Sequence, residues 1–172
     1  MRLIDQLAYY KFNILHLHLT DDQGWRLMIR SWPRLAEVGG STDFTGGPGG
    51  FFTQEEYRQI IDYATTHYIT VIPEIDMPAH INSALASYAE LNDSGEAPAL
   101  YNGYIGGSSS LAIHKEITYR FLEDVLGEVA ALTPGSYLHI GGDEAVSTDE
   151  ADYKVFIERI QRIVRGLGKQ CI

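Results

Sequence analysis

Cysteine is nearly absent: Cys171 is the only one among 172 residues, so neither an internal disulfide nor a multi-cysteine zinc site is available. Basic side chains are scarce as well, 13 against 23 acidic ones, for a formal charge of -10. Nucleic acid and anionic membrane surfaces are bound through clustered Lys and Arg, so neither is expected as the main partner. No stretch approaches the roughly 18 consecutive apolar residues of a membrane helix. Met1 to Tyr10 has no continuous apolar core of the kind a signal peptide needs. Hydrophobic residues at 45% and charged residues at 21% describe an ordinary globular chain, long enough for one domain, residues 1–172, with a sizeable core.

What is present is a series of apolar runs that end in polar residues. Leu3, Ile4, Leu7 and Ala8 recur at helical spacing. Lys11 to Leu19 then reads as a strand, with Asn13, Leu15, Leu17 and Leu19 on one face and Ile14, His16 and His18 on the other. It ends in Thr20-Asp21-Asp22-Gln23-Gly24-Trp25. Ser31 to Phe52 holds six glycines and two prolines, a long loop with a short helix around Arg34 to Val38. Thr53 with Glu55 and Glu56 marks a helix start, and Tyr57, Ile60, Ile61 and Ala64 form its buried stripe. Ile69 to Ile75 is a strand interrupted by Pro73, followed by the polar end that carries Glu74, Asp76 and His80.

A second glycine-rich loop near Gly95 to Ser110 leads to a helix whose stripe includes Ile117, Phe121, Leu122 and Val125. A strand from Tyr137 follows, then a helix from about Asp149 to Leu167, and Cys171-Ile172 begins another strand. Strand, loop and helix recur without a hairpin signal, which predicts parallel strands with helical crossovers. The polar residues gather where strands end, the active face of a (β/α)8 barrel or the crevice of a doubly wound sheet. A full barrel takes about 250 residues, so the expected fold is α/β, a partial TIM barrel.

The most informative end is His139-Ile140-Gly141-Gly142-Asp143-Glu144. Two glycines permit backbone angles closed to other residues and let a ligand approach closely. In extended backbone Asp143 and Glu144 point to opposite sides, so they can flank a substrate atom but not face it from one direction. A carboxyl in an apolar wall has a raised pKa and can donate a proton near neutrality, while a better solvated one stays ionised. That division suits glycosidic bond cleavage. The alternative is a solvated acidic loop at a helix start.

The three motifs Asn13-Ile14-Leu15-His16-Leu17-His18-Leu19-Thr20-Asp21-Asp22-Gln23-Gly24-Trp25-Arg26, Pro73-Glu74-Ile75-Asp76-Met77-Pro78-Ala79-His80 and His139 to Glu144 together resemble family 20 of the glycoside hydrolases, the β-N-acetylhexosaminidases. Gly46-Gly47-Pro48-Gly49-Gly50 and Tyr88-Ala89-Glu90-Leu91-Asn92 resemble loops of its bacterial, actinomycete-like branch. The resemblance implies a (β/α)8 barrel, covered here from just before the second strand to the start of the fifth.

It implies hydrolysis of terminal β-linked N-acetylhexosamine without cofactor or metal, by a substrate-assisted retaining mechanism in which the 2-acetamido oxygen attacks the anomeric carbon. Glu144 would be the general acid and then the base, and Asp143 would hold the acetamido nitrogen. Asp21 and His80 match supporting residues, with Asp22, Glu74 and His139 behind them. Ala79 stands where the family commonly has glycine, a departure expected to shift the loop carrying His80. The family's sugar-binding arginine, and its aromatics from later strands, would lie outside these 172 residues. The chain is therefore expected to be weakly active or inactive alone.

Two rival readings rest on other features. His16-Leu17-His18 is also the spacing by which a barrel strand presents two imidazoles to a metal, with His80, His139 and Asp143 nearby; otherwise both imidazoles fill the barrel interior. The second is a non-catalytic sugar-binding piece, using Trp25 or Trp32 as stacking surfaces where they are not core. Exposed strand edges at Lys11 to Leu19 and Cys171-Ile172 would invite pairing with another copy. His67 and His114 read as surface residues, and Asn92-Asp93-Ser94 matches a glycosylation acceptor that matters only in a secreted eukaryotic protein.

Overall fold

The computed structural model describes all 172 residues, Met1–Ile172. Its elements in chain order are α1 (Arg2–Tyr9), β1 (Ile14–His18), β2 (Thr20–Asp21), β3 (Gly24–Trp25), α2 (Arg34–Glu37), α3 (Gln54–Thr66), β4 (Thr70–Glu74), α4 (Asn82–Ser87), α5 (Glu116–Leu132), β5 (Tyr137–Leu138), α6 (Glu150–Gly166) and β6 (Gln170–Cys171). No helix is long and apolar enough to cross a membrane.

Four strands run parallel in the order β1, β4, β5, β6. β1 pairs with β4 from Ile14↔Thr70 to His18↔Glu74, a bridge at Glu74↔His139 joins β4 to β5, and β5 pairs with β6. The sheet is open and does not close into a barrel, leaving β1 and β6 as edges. Pro73 sits in the inner strand β4, where a proline normally removes a ladder bond. Here the β5 side begins with its carbonyl, which accepts from His139 N–H at 3.0 Å, and continues with Ile75 N–H to His139 O at 3.1 Å. The missing N–H thus falls before the pairing starts.

One antiparallel ladder contradicts the expectation of parallel pairing alone. Thr20 pairs with Trp25 and Asp21 with Gly24. Its reason is local: Trp25 is completely buried and its Nε1–H donates to Leu27 O at 2.7 Å, so the chain must fold back under the strand end. This also makes Trp25 core, unavailable to a sugar. Trp32 likewise packs edge-on against Tyr88 and Phe121 and donates to Asp124.

The helices follow their sequence signals. Thr53 and Glu56 complete a reciprocal capping box at the start of α3, and Asp149 caps α6 by accepting from Ala151 N–H, which satisfies donors left free in a first turn. Tyr57, Ile61, Phe121, Val125, Phe156 and Ile160 form the inner stripes of α3, α5 and α6, all buried in one core with Val71 and Leu138 of the sheet. The helices cover one face, and the carboxyl ends of the strands are left to the loops.

Candidate active site

Three strand ends converge. Thr20 Oγ1 accepts the Asp76 N–H at 2.9 Å, tying the end of β1 to that of β4. Asp76 Oδ1 in turn accepts the Gly142 N–H at 3.1 Å, tying β4 to the segment after β5. Tyr153 of α6 closes the turn from outside, its hydroxyl donating to Gly142 O at 2.7 Å.

On this frame Asp21, His80, Asp143 and Glu144 meet. His80 Nδ1 lies 3.0 Å from Asp21 Oδ1, and the other Asp21 oxygen lies 3.1 Å from His18 Nε2. His80 Nε2 points the opposite way, 3.3 Å from Glu144 Oε2 and 3.9 Å from Asp143 Oδ2. Neither approach has hydrogen-bond alignment, and His80 Nε2 is a buried polar atom without a partner. A buried, unpaired ring nitrogen is costly, and here it is aimed at the two carboxylates.

The backbone explains how both acids reach one atom. Gly141 and Gly142 have φ of 66° and 99°, and Glu144 itself has φ of 47°. The chain is therefore not extended here, and the opposite-facing arrangement expected from alternation does not hold. His80 is also left-handed, at φ 51°. Two non-glycine residues in this sparsely populated region cost on the order of 1–3 kcal/mol each, and such outliers concentrate at functional sites.

Neither acid sits in an apolar wall. The Asp143 and Glu144 side chains are 66% and 68% exposed, because the glycines carry them outward from the sheet. The buried carboxyl is Asp76, 1% exposed, and burial pushes its pKa up to about 7. Burial works against ionisation of His80 too, but its bond to Asp21 and the charges of Asp21, Asp76 and Asp22 prevail and raise it. For Asp21, burial opposes the charge while hydrogen bonds from His18, the Asp22 N–H and His80 lower the pKa. His18 is lifted to about 9, first by its bond to Asp21 and against the effect of burial.

The remaining sequence candidates surround this group. Glu74, 5% exposed, gathers imidazoles: His16 Nε2 is 2.5 Å and His18 Nδ1 3.2 Å from its Oε2, and His139 Nδ1 is 3.5 Å from its Oε1. His139 Nδ1 also accepts the Gly141 N–H at 3.0 Å, and its ring stacks on His16 at 4.7 Å. His16, Glu74 and His139 have donor atoms close enough for a cation, yet those atoms face one another around the buried Glu74 carboxylate, with His16 half exposed. Asp22 adjoins Asp21 and His80 but spends its oxygens on the neighbouring loops. It is buried and accepts from Asn82 N–H at 2.9 Å, Gly107 N–H at 2.7 Å and the Ser109 hydroxyl, so it fastens the loop around Gly107 beside His80.

Asp76, Thr20, Tyr153 and Gly107 are participants that sequence reasoning passed over. Asp76 carried a signal, as an acid one turn of chain beyond a strand end; the others had none. Chemically, the group offers a carboxyl beside an imidazole that a second carboxylate orients, with a further carboxylate adjacent. That is a proton donor with a supporting base and a neighbouring acceptor for an N–H.

Comparison with known proteins agrees along the whole chain. The sequence model described as "Glycosyl hydrolase family 20, catalytic domain" matches residues 1–170. A β-N-acetylhexosaminidase of Cellulomonas fimi is 42% identical over 170 residues, covering 99% of this chain and 34% of that protein. Among solved structures, the family 20 β-N-acetylhexosaminidase of Streptomyces coelicolor A3(2) is 59% identical with a TM-score of 0.98, over 99% of this chain and 34% of the other. A Streptomyces plicatus N-acetyl-β-hexosaminidase in complex with Thio-NAglucal is 60% identical, also with a TM-score of 0.98 over 99% and 34%. The chain thus spans about a third of the length of these relatives.

Proposed function

The chain belongs to glycosyl hydrolase family 20, and from that premise we propose that residues 1–172 are a single partial catalytic domain, strands two to four of the family barrel with their helices and the start of the fifth. Its chemistry is hydrolysis of terminal β-linked N-acetylhexosamine from oligosaccharides that carry N-acetylglucosamine. The observation that carries this reading is the line Asp21–His80–Glu144, with Asp143 at the same imidazole.

Glu144 is the proton donor to the glycosidic oxygen. Its side chain is accessible to a substrate oxygen, while His80, held by Asp21, stands behind it. An imidazole that keeps its proton favours the carboxylate left after transfer, and the same carboxylate then takes a proton from water, in the exchange of roles of general acid and base. Asp143 accepts from the acetamido N–H of the substrate. This orients the acetamido oxygen toward the anomeric carbon and stabilises the positive charge that spreads onto the amide as the C–O bond breaks. Glu74 and His139 hold the strand ends, with His139 supporting the Gly141 turn. The metal-hydrolase reading is weaker because His16 and His18 spend their nitrogens on Glu74 and Asp21.

The test is the anomer released from a β-N-acetylglucosaminide, followed by proton NMR. Substrate-assisted retention releases the β-anomer first, and the corresponding β-glucoside, lacking the acetamido group, goes unhydrolysed. First release of the α-anomer, or hydrolysis of both glycosides alike, would overturn the reading.

A further inference from the structure

Asparagine is one of the thermolabile residue types, because the backbone nitrogen of the following residue can attack its side-chain carbonyl carbon and expel ammonia. Folding ordinarily prevents this by bonding the side-chain amide or by placing a bulky residue next. Three of the chain's four asparagines are guarded in these ways. Asn82 Oδ1 accepts the Tyr101 N–H at 3.0 Å, Asn92 Nδ2 donates to Glu96 O at 3.0 Å, and Asn13 is followed by the β-branched Ile14 at the start of β1.

Asn102 has none of these protections. It is exposed, its side-chain amide takes part in no hydrogen bond, and the next residue is Gly103. Gly103 is bonded only through its carbonyl, which accepts from Gln23 Nε2 at 2.9 Å, so its N–H has no acceptor. Conformation fixes the glycine in place. Its φ is 145°, a region that residues with a side chain rarely adopt, and a methyl group there would stand 2.9 Å from the Tyr101 hydroxyl oxygen. The fold therefore keeps an unhindered backbone nitrogen beside an unbonded amide.

We propose that Asn102 is a site of spontaneous deamidation, and that its product disturbs the loop lying over His80. The Gly103 nitrogen gives up its proton and bonds to Asn102 Cγ; the Cγ–Nδ2 bond breaks and the side-chain nitrogen leaves as ammonia with that proton, which closes a succinimide ring. Water then opens the ring. Opening at Cγ leaves aspartate, and opening at the main-chain carbonyl leaves isoaspartate, whose backbone runs through Cγ and is one carbon longer. The added carbon displaces Gly103 from Gln23, one of the ties that hold this loop together with Tyr101 N–H to Asn82 and Gly107 N–H to Asp22. Further along the same loop the backbone runs against the imidazole: a methyl group at Gly106 would stand 3.0 Å from His80 Nδ1, and one at Gly107 3.2 Å from His80 Nε2. A shift of the loop is therefore felt at His80.

Peptide mapping by mass spectrometry tests this on the folded chain, aged at mildly alkaline pH where the Gly103 nitrogen loses its proton more readily, beside a sample aged unfolded in urea. The mass gain of exchanging an amide NH2 for a hydroxyl is expected to accumulate at Asn102 in the folded sample, with isoaspartate among the products, while Asn13, Asn82 and Asn92 remain amides. Asn102→Gln, whose longer side chain would have to close a larger ring, is expected to stay unmodified at that position. An intact Asn102 in the folded sample overturns the proposal, whether or not the unfolded sample reacts. The second readout is the His80 ring resonances in NMR, expected to move in the aged chain and to stay in place in aged Asn102→Gln. Unmoved resonances in a fully modified chain overturn the link to the loop. Neither readout requires glycoside hydrolysis, so both are independent of the role given to Glu144.

Discussion

Gly141 lies so close to Asp76 that a methyl group added to it would stand 1.8 Å from the Asp76 Oδ1 atom. The backbone there is also left-handed, at φ 66°. The turn that presents Asp143 and Glu144 is therefore built directly on the buried Asp76 carboxyl, and space and conformation both demand glycine. Gly141→Ala is expected to destabilise the fold by about 1–3 kcal/mol, the cost of strain at such a position, and to displace both acids. Urea unfolding measures the first effect. Loss of the contact between His80 and Glu144, read from the His80 ring titration, measures the second.

Asp76 makes stability depend on pH. Its folded pKa of about 7 lies above the ordinary aspartate value of 3.8, so the folded state binds the proton more tightly than the unfolded one. The resulting stabilisation is fully present below about pH 4 and is lost as pH rises through 7. Asp76→Asn keeps the shape and a neutral acceptor for the Gly142 N–H. The variant is expected to flatten this part of the stability profile between pH 4 and 7; an unchanged slope would show that another group produces it.

Asp21 sets a second window at higher pH. His18 is raised from 6.5 to about 9, chiefly by its bond to Asp21, and His80 is raised through the same carboxylate against the effect of burial. A histidine raised in the folded state contributes stability below its unfolded value, and that stability disappears as pH rises through the folded value. Asp21→Asn is expected to bring the NMR titrations of both rings down and to reduce the stability loss between pH 6.5 and 9 that belongs to His18, the remainder being held by Glu74. Titration of both rings unchanged in the variant would contradict the arrangement.

The sequence carried the strands, helices and polar strand ends because each rests on local chemistry. Alternation of Leu15, Leu17 and Leu19 with His16 and His18 set the face of β1, and Thr53 with Glu55 and Glu56 marked the start of α3, where the structure adds a reciprocal bond from Glu56 back to the cap. Asp21, His80, Asp143 and Glu144 were legible as strand-end residues, and the structure gathers them. What spacing could not convey was backbone sign. Alternation assumes extended chain, whereas Gly141, Gly142 and Glu144 all have positive φ, so both acids turn toward His80. Nor does sequence reveal depth: Asp76 and Asp22 stand beyond strand ends as the exposed acids do, but both are buried, one under the Gly141–Gly142 turn and one beside the Gly107 loop. The antiparallel return at Trp25 was hidden for the same reason, since it follows from burying one large side chain.

The most direct test of the account is release of a fluorogenic aglycone from an N-acetyl-β-glucosaminide by this chain, measured beside its Glu144→Gln variant. The account predicts slow release that falls by about 100-fold or more in the variant, the range expected when a positioned general acid is removed. Release that continues at the parent rate in Glu144→Gln would contradict it, and would place the proton donor somewhere other than the carboxyl that His80 faces.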